Sequence, residues 1–492
     1  MVGALRSNRC ETCRKRKIKC DEVWPVCTPC KRGNRDCPPR PSLKVIDSSA
    51  QLRQQLGKQV RRKKPRRSCK DEDVKKSEEA PSRNKFAISH CKVGRGAFDL
   101  LLQATMNLTP SNQLCCAFLD CLHTQPPAYN LEIIGSFAWQ IPQRFGLSDA
   151  LDDVAACMMA SHMAIVRGAS QFSRINPKLY TRALRSVYSA LEDPNECRSS
   201  NTLCAILLLQ RIEALFGESF GRSELIHASG LATLLEKRGP PNLNDKFECL
   251  LTADSHMCII HQSLVLRKTC FIASKEWAAS MDVLDGQTHL QILFHRLLRQ
   301  MTLWPALVRE KQYYFESDQY VDPFALIQKT EQVKAAVDEI GRDLDALIES
   351  DMLIRHIPAT CLSDLVSEMF EFKDRMAAVL LCYHAMYSIT VYQILVSLSA
   401  DPFHEPELKH EILRLSRRIW MLVEHGLKNK PLGLPMLPAA LLTTADSADW
   451  EAQDQIIEIM NEFDSCQRLK CDTWTRQKLM WRAMFYRGDG SV

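Results

Sequence analysis

Six cysteines at the amino end constrain this chain more than any other feature. They run Cys10-x2-Cys13-x6-Cys20-x6-Cys27-x2-Cys30-x6-Cys37. A two-residue gap lets both thiolates of a pair reach one metal from a tight turn, and structural zinc is tetrahedral with Cys–Zn bonds of ~2.3 Å. The unit C-x2-C-x6-C occurs twice, which predicts two similar halves. Two tetrahedral ions need eight ligand positions, and six cysteines close that count if two thiolates each bridge both metals. A single ion held by Cys10, Cys13, Cys27 and Cys30 is the competing reading. It strands Cys20 and Cys37, which sit at equal spacing after each pair. The chain holds 21 cysteines, an odd number, and residues 1–10 contain no apolar run of signal-peptide length. Reduced thiols and metal ligands are therefore expected, rather than secretion and a disulfide framework.

In the two-ion reading every ligand is a protein thiolate and no position is left open for water, so the zinc is structural. Segment 10–37 has Ile18, Val23, Trp24 and Val26 as its main apolar residues. So small a core buries little, and metal binding must supply most of the folding free energy.

Charge points the same end of the chain at a polyanion. Residues 1–67 hold 20 of the 64 lysines and arginines and 5 of the 58 acidic residues, giving +15 there and −9 over the remainder. The spacer Arg14-Lys15-Arg16-Lys17-Ile18-Lys19 is cationic at five of six positions. As a short helix it carries positive charge around most of its circumference, and such a cluster repels itself unless a polyanion faces it. Lysine and arginine donate to guanine O6 and N7 in the major groove and to phosphates. Lys31, Arg32 and Arg35 in the second half read as phosphate contacts.

With these residues in view, segment 10–37 resembles the fungal-type Zn2Cys6 binuclear-cluster domain of transcription regulators. Pro25, in the loop between the halves, also matches a proline often found in that family. The resemblance implies two short helices around two zinc ions. It makes Cys10 and Cys27 the bridging thiolates, with Cys13 and Cys20 completing one ion and Cys30 and Cys37 the other. It also implies that the first helix enters the major groove and reads CGG-type triplets. Arg16 and Lys17 would then touch bases, and Arg14, Lys15 and Lys19 phosphates.

Residues 38–95 are polar and basic, with a proline-rich opening, and predict a largely disordered linker. Within it Arg61-Arg62-Lys63-Lys64-Pro65-Arg66-Arg67 is a candidate nuclear-import signal, with an extra DNA-contacting arm or a solvated linker as the other readings. A coiled coil here would place Leu43, Ile46, Ala50, Arg53, Gly57 and Val60 in the seam. Arg and Gly at those positions fall short of sustained heptads. Monomer, weak homodimer and dimer through the helical region all stay open.

Residues 96–492 predict a large all-α domain. Apolar residues at helical spacing mark helices over 180–191, 203–216, 225–238, 290–301, 333–347, 412–427 and 456–463. Asp193-Pro194, Gly217 and Gly239-Pro240-Pro241 serve as stop signals. Residues 376–400 contain no Asp, Glu, Lys or Arg and are long enough to span a bilayer. His384, Gln393 and several hydroxyl side chains favour a buried central helix instead, and no membrane partner is expected. This region is similar to the helical regulatory domain found downstream of the cluster in such regulators, most distinctively over 227–240. That resemblance implies effector sensing, autoinhibition or co-regulator contact. His227, Gly230 and Leu234 share one face there, with packing as the expected role: Gly230 for close helix approach and His227 as a hydrogen-bonded core histidine.

Enzymatic readings find little support. Asp152-Asp153 resembles the start of a DDxxD magnesium motif, but Ala156 stands where the third carboxylate belongs. Two acids that complement a helix N-terminus are the plainer reading. No phosphate-binding loop, nucleophile elbow or H-E-x-x-H occurs. His256, Cys258 and His261 fall at offsets that share no helical face. The expectation is a nuclear, zinc-dependent regulator of RNA polymerase II transcription, not an enzyme. Its partners would be double-stranded DNA, an import receptor and co-regulators. A zinc-bearing interaction module or co-regulator without base readout is the alternative.

Overall fold

The computed structural model describes residues 12, 13, 16, 18, 19, 27–33, 35, 109–124, 131–167, 174–217, 222–278, 288–316, 321–360, 365–398, 405–429, 432, 434–467 and 473–489. The chain divides into two units, Met1–Cys91 and Lys92–Val492. The first contains helix α1 (Thr28–Arg32), which starts directly after Cys27 with Pro29 in its first turn. Proline suits that position because the amide it lacks would have no helical acceptor there.

The larger unit is mostly helical. Its first half comprises α2 (Pro110–Leu122), α3 (Asp149–Val166), α4 (Pro177–Glu192), α5 (Ser200–Phe216), α6 (Arg222–Arg238), α7 (Lys246–Val265) and α8 (Lys275–Ala278). Then come α9 (His289–Met301), α10 (Trp304–Glu316) and α11 (Pro323–Glu349), followed by strands β1 (Ile354–Pro358) and β2 (Glu368–Phe372). The chain continues through α12 (Arg375–Leu398), α13 (Glu405–Trp420), α14 (Val423–Lys428), α15 (Leu437–Thr443), α16 (Trp450–Gln467) and α17 (Arg476–Arg487). One contiguous apolar core joins residues from Phe118 to Tyr486.

Helix ends follow local chemistry. The Asn176 side chain accepts from the Lys178 and Leu179 amides and starts α4, with Pro177 at its first position. At the other end the Asp193 carboxylate takes the Asn195 and Glu196 amides and turns the chain away. Gly217 closes α5, and Gly239, with φ +81°, follows the last residue of α6.

Helix α12 is the centre of the unit. It is the one described helix long and apolar enough, by length and composition, to cross a membrane. Yet 78% of its most apolar window is buried inside the protein. Three of its polar side chains have partners on neighbouring helices. The Tyr387 hydroxyl donates to the Gln300 carbonyl at 2.7 Å, His384 Nε2 meets the Val337 carbonyl at 2.9 Å, and Gln393 donates to the Thr443 carbonyl at 3.2 Å. A core helix needs such internal satisfaction because buried polar groups are costly when unpaired. Gly341 on α11 permits the close approach: a Cβ there would lie 3.1 Å from the His384 ring.

Several expectations need correction. The larger unit is not purely helical, because β1 and β2 pair antiparallel with Ile354 opposite Phe372. The alternation is too short to stand out in sequence. The hairpin is held by burial of Ile354, Met369 and Phe370 against helices. The helix expected over 412–427 breaks between α13 and α14, where the Met421 carbonyl accepts from the Phe370 amide of β2 at 3.1 Å. Gly230 is exposed, and a Cβ there would meet nothing within 4 Å, so it serves no close approach. His227 does bond its neighbour, the Tyr180 hydroxyl at 2.9 Å, but is only half-buried.

The acid pair splits its duties. Asp152 accepts from the Gly146 amide at 3.0 Å, while Asp153 pairs with Arg182 of α4 at 2.8 Å. His256 and Cys258 are buried on α7. Burial, aided by His295, pushes His256 down to about 3 and leaves it neutral.

Candidate metal centre and nucleic-acid interface

Three of the six cysteines come together. Cys13, Cys27 and Cys30 are buried, and their sulfurs lie within 4.8 Å of one another. Cys13 Sγ is 3.6 Å from Cys27 Sγ and 3.9 Å from Cys30 Sγ. Sulfurs on a tetrahedral zinc with ~2.3 Å bonds are separated by about 3.8 Å. The two distances bracket that edge, so the donor set fits zinc. The backbone brings them there locally. Cys27 caps α1, and its carbonyl accepts the Cys30 and Lys31 amides at 3.0 and 2.9 Å. Cys30 therefore sits one turn on, facing back towards Cys27.

The two halves share geometry as well as spacing. The Ile18 amide donates to the Cys13 carbonyl at 3.1 Å, and the Arg35 amide donates to the Cys30 carbonyl at 3.0 Å. Each bond closes over five residues, and the two are displaced by 17 residues, as are Cys13 and Cys30. Ile18 packs on the sulfur cluster, while Arg35, its counterpart, is exposed. That division of labour was not read from the spacing, although the same 17-residue offset pairs the two positions.

Arg16, Lys19, Lys31, Arg32 and Arg35 are all exposed around the buried sulfurs, and no acidic residue lies among the described residues of this unit. Lys31 and Arg32 occupy the last turn of α1, where cations suit the helix dipole. Cys10, Cys20, Cys37, Arg14, Lys15 and Lys17 lie outside the described residues. So do the candidate import residues Arg61, Arg62, Lys63, Lys64, Arg66 and Arg67.

A family model described as the fungal specific transcription factor domain matches residues 103–482. The chain belongs to that family. Two curated relatives match the amino end. Over 28 residues the chain is 68% identical to the C6 finger domain transcription factor hasF of Aspergillus fumigatus, covering 6% of this chain and 4% of that protein. Over 34 residues it is 53% identical to Transcription activator AMTR1 of Alternaria alternata, covering 7% and 4%. The chain thus aligns with only a small part of either relative's length. No solved structure matches. A body of the fungal specific transcription factor domain family is thus preceded by a segment similar to short parts of two transcription factors.

The trio Cys13, Cys27 and Cys30 belongs to both ligand sets considered above, the six-cysteine pair of ions and the four-cysteine single ion. Seven described cysteines of the larger unit serve packing. Cys121, Cys157, Cys204, Cys249, Cys258, Cys270 and Cys382 are buried. Burial pushes Cys121, Cys157 and Cys270 up to about 11, so these thiols stay protonated and inert.

Proposed function

We propose that the chain is a nuclear, sequence-specific regulator of RNA polymerase II transcription whose amino end, residues 10–37, holds two zinc ions on six thiolates. Residues 38–95 act as a linker carrying the import signal at 61–67, and residues 96–492 form the regulatory body. The observation that carries this reading is the buried three-sulfur cluster at zinc spacing, ringed by exposed cations. Bound zinc supplies structural cross-links and no reaction chemistry. Cys10 and Cys27 bridge the ions, Cys13 and Cys20 complete one, and Cys30 and Cys37 the other.

The protein residues then divide the work. Arg16 and Lys17 reach guanine edges of a CGG-like triplet, while Arg14, Lys15, Lys19, Lys31, Arg32 and Arg35 hold phosphates. With about six phosphates neutralised, log affinity falls against log salt with a slope of about −5. Import receptor and co-regulators are the further partners of this reading.

Selection of duplexes from a random pool tests it. The native chain should enrich a CGG-like element. Arg16→Ala with Lys17→Ala should lose that selectivity, while Lys31→Ala should weaken all duplexes alike. No enriched element, with retained binding to an acidic protein surface, would favour the interaction-module reading instead.

A further inference from the structure

A cavity of about 300 Å³ opens between α13, the hairpin and the end of α11. One side is cationic. Arg414, Arg417 and Arg418 follow one another at i, i+3 and i+4 along α13 and so share a face. Their charges are unequally neutralised. Arg418 Nη2 is engaged by Asp345, yet its Nη1 is buried with no hydrogen-bond partner among the described residues. Arg414 is held by Glu411 at 2.8 Å and more loosely by Asp345 at 3.7 Å. Arg417 is exposed and has no acidic partner among the described residues. Asp345 and Glu411 stand outside the lining, and among the described residues no carboxylate lines the cavity.

The other side is apolar. Phe370 of β2, Leu413 of α13 and Met421 face the same space. The bond from the Phe370 amide to the Met421 carbonyl ties the hairpin to the break after α13, which fixes both walls. His356 adds a ring edge against Phe370, with centroids 4.9 Å apart. Exposed Arg417, with no acidic partner among the described residues, offers its guanidinium to an incoming acceptor. Arginine's planar fork matches a carboxylate in particular. The volume lies at the lower end of small-molecule sites, roughly 300–1,000 Å³.

We infer that this cavity binds a small organic carboxylate with an apolar tail, the carboxylate seated on Arg417 and Arg418 and the tail lying against Phe370, Leu413 and Met421. The site lies wholly within the larger unit and needs no DNA, so it stands apart from the proposed cluster chemistry.

Titration calorimetry on the full chain tests both halves of the assignment, with octanoate, butyrate, octan-1-ol and inorganic phosphate as probes. Octanoate binds once per chain and at least tenfold more tightly than butyrate, since each buried CH2 contributes about fourfold. Octanol and phosphate bind at least tenfold more weakly than octanoate. Arg417→Gln weakens octanoate about tenfold, as expected for a lost charge-assisted hydrogen bond. Arg418→Gln does so at least as strongly, and Arg185→Gln, an exposed cation on α4, changes nothing. Should Arg418→Gln fail to fold, exposed Arg417 still decides the matter. The inference is overturned by any of four results: no octanoate binding up to about 1 mM, phosphate as tight as octanoate, octanol as tight as octanoate, or binding that ignores Arg417→Gln. DNA binding plays no part in these readouts, so failure of the DNA reading would be seen separately.

Discussion

The carboxyl end of the structure offers a sharp energetic test. Lys311 of α10 has a side chain with 0% exposure, and its ammonium group meets Asp489 and the Arg487 carbonyl, the latter at 3.1 Å. Neighbouring carbonyls of α17 are satisfied the same way: Phe485 by Arg267 at 3.3 Å and Tyr486 by the Trp304 indole at 3.1 Å. These are the orphan acceptors of a helix end, and side chains from α10 and the turn after α7 complete them. Breaking a buried ion pair from one side costs about 3–5 kcal/mol, because the other charge stays buried and unmatched. Asp489 is 33% exposed, and Lys311 would keep one carbonyl. Both facts move Asp489→Ala below that range, to about 2–3 kcal/mol.

Lys311→Met behaves differently. It removes the buried charge, keeps the volume and leaves Asp489 paired with Arg487, so it costs about 1 kcal/mol or less. The double variant resembles Lys311→Met alone, giving a coupling of at least ~1 kcal/mol. The pH dependence has a definite sign. Burial lowers the Lys311 pKa from its ordinary value, and Asp489 opposes that shift. Between the folded and unfolded pKa values the unfolded chain binds the extra proton, so stability rises with pH across that window. Removing Asp489 lowers the folded pKa further and widens the window downwards. The deficit of Asp489→Ala relative to the native chain therefore shrinks as pH rises from neutrality towards 10.5. Urea unfolding at several pH values reads all of this. A Lys311→Met variant less stable than Asp489→Ala, or a deficit that grows with pH, refutes the reasoning.

Two further outcomes follow from single sites. Gly341→Val would press branched methyls on the His384 ring, already 3.1 Å from a bare Cβ. A loss of about 2 kcal/mol or more in urea unfolding is expected, and an unchanged midpoint would show that α11 and α12 do not meet as described. Cys13→Ser should strip metal from the amino unit and abolish selective DNA binding while leaving the far-ultraviolet helical signal of the larger unit in place. The same change at exposed Cys116 should leave metal content untouched.

Much of the helical body could be read from the chain because helices announce both period and ends. Asp193-Pro194 ends α4, and Gly217 closes α5, through chemistry local to each turn, although α4 begins three residues before the expected 180. The nature of α12 was also legible, since His384 and Gln393 are residues a lipid-facing helix would avoid. Non-local effects were not legible. The break at Met421 depends on a carbonyl diverted to a strand 51 residues away in sequence, Phe370. The hairpin depends on burial against helices rather than on its own alternation. Gly230 looked like a packing glycine because a face can be read from spacing, whereas what covers that face cannot. The cavity arginines carry no sequence signal of a site for a related reason: what lies beside Arg414, Arg417 and Arg418 is the hairpin, which is distant in sequence. The sulfur cluster was legible because ligand spacing is short-range, and the equal bonds at Ile18 and Arg35 give the predicted likeness of the halves in backbone form.

Metal content of the purified chain, measured by elemental analysis beside its duplex selectivity, bears most directly on the proposed function. Two zinc ions per chain, with selectivity that disappears when a chelator removes them and returns on reloading, is the predicted result. One ion per chain, or selectivity that survives complete removal of metal, would contradict it.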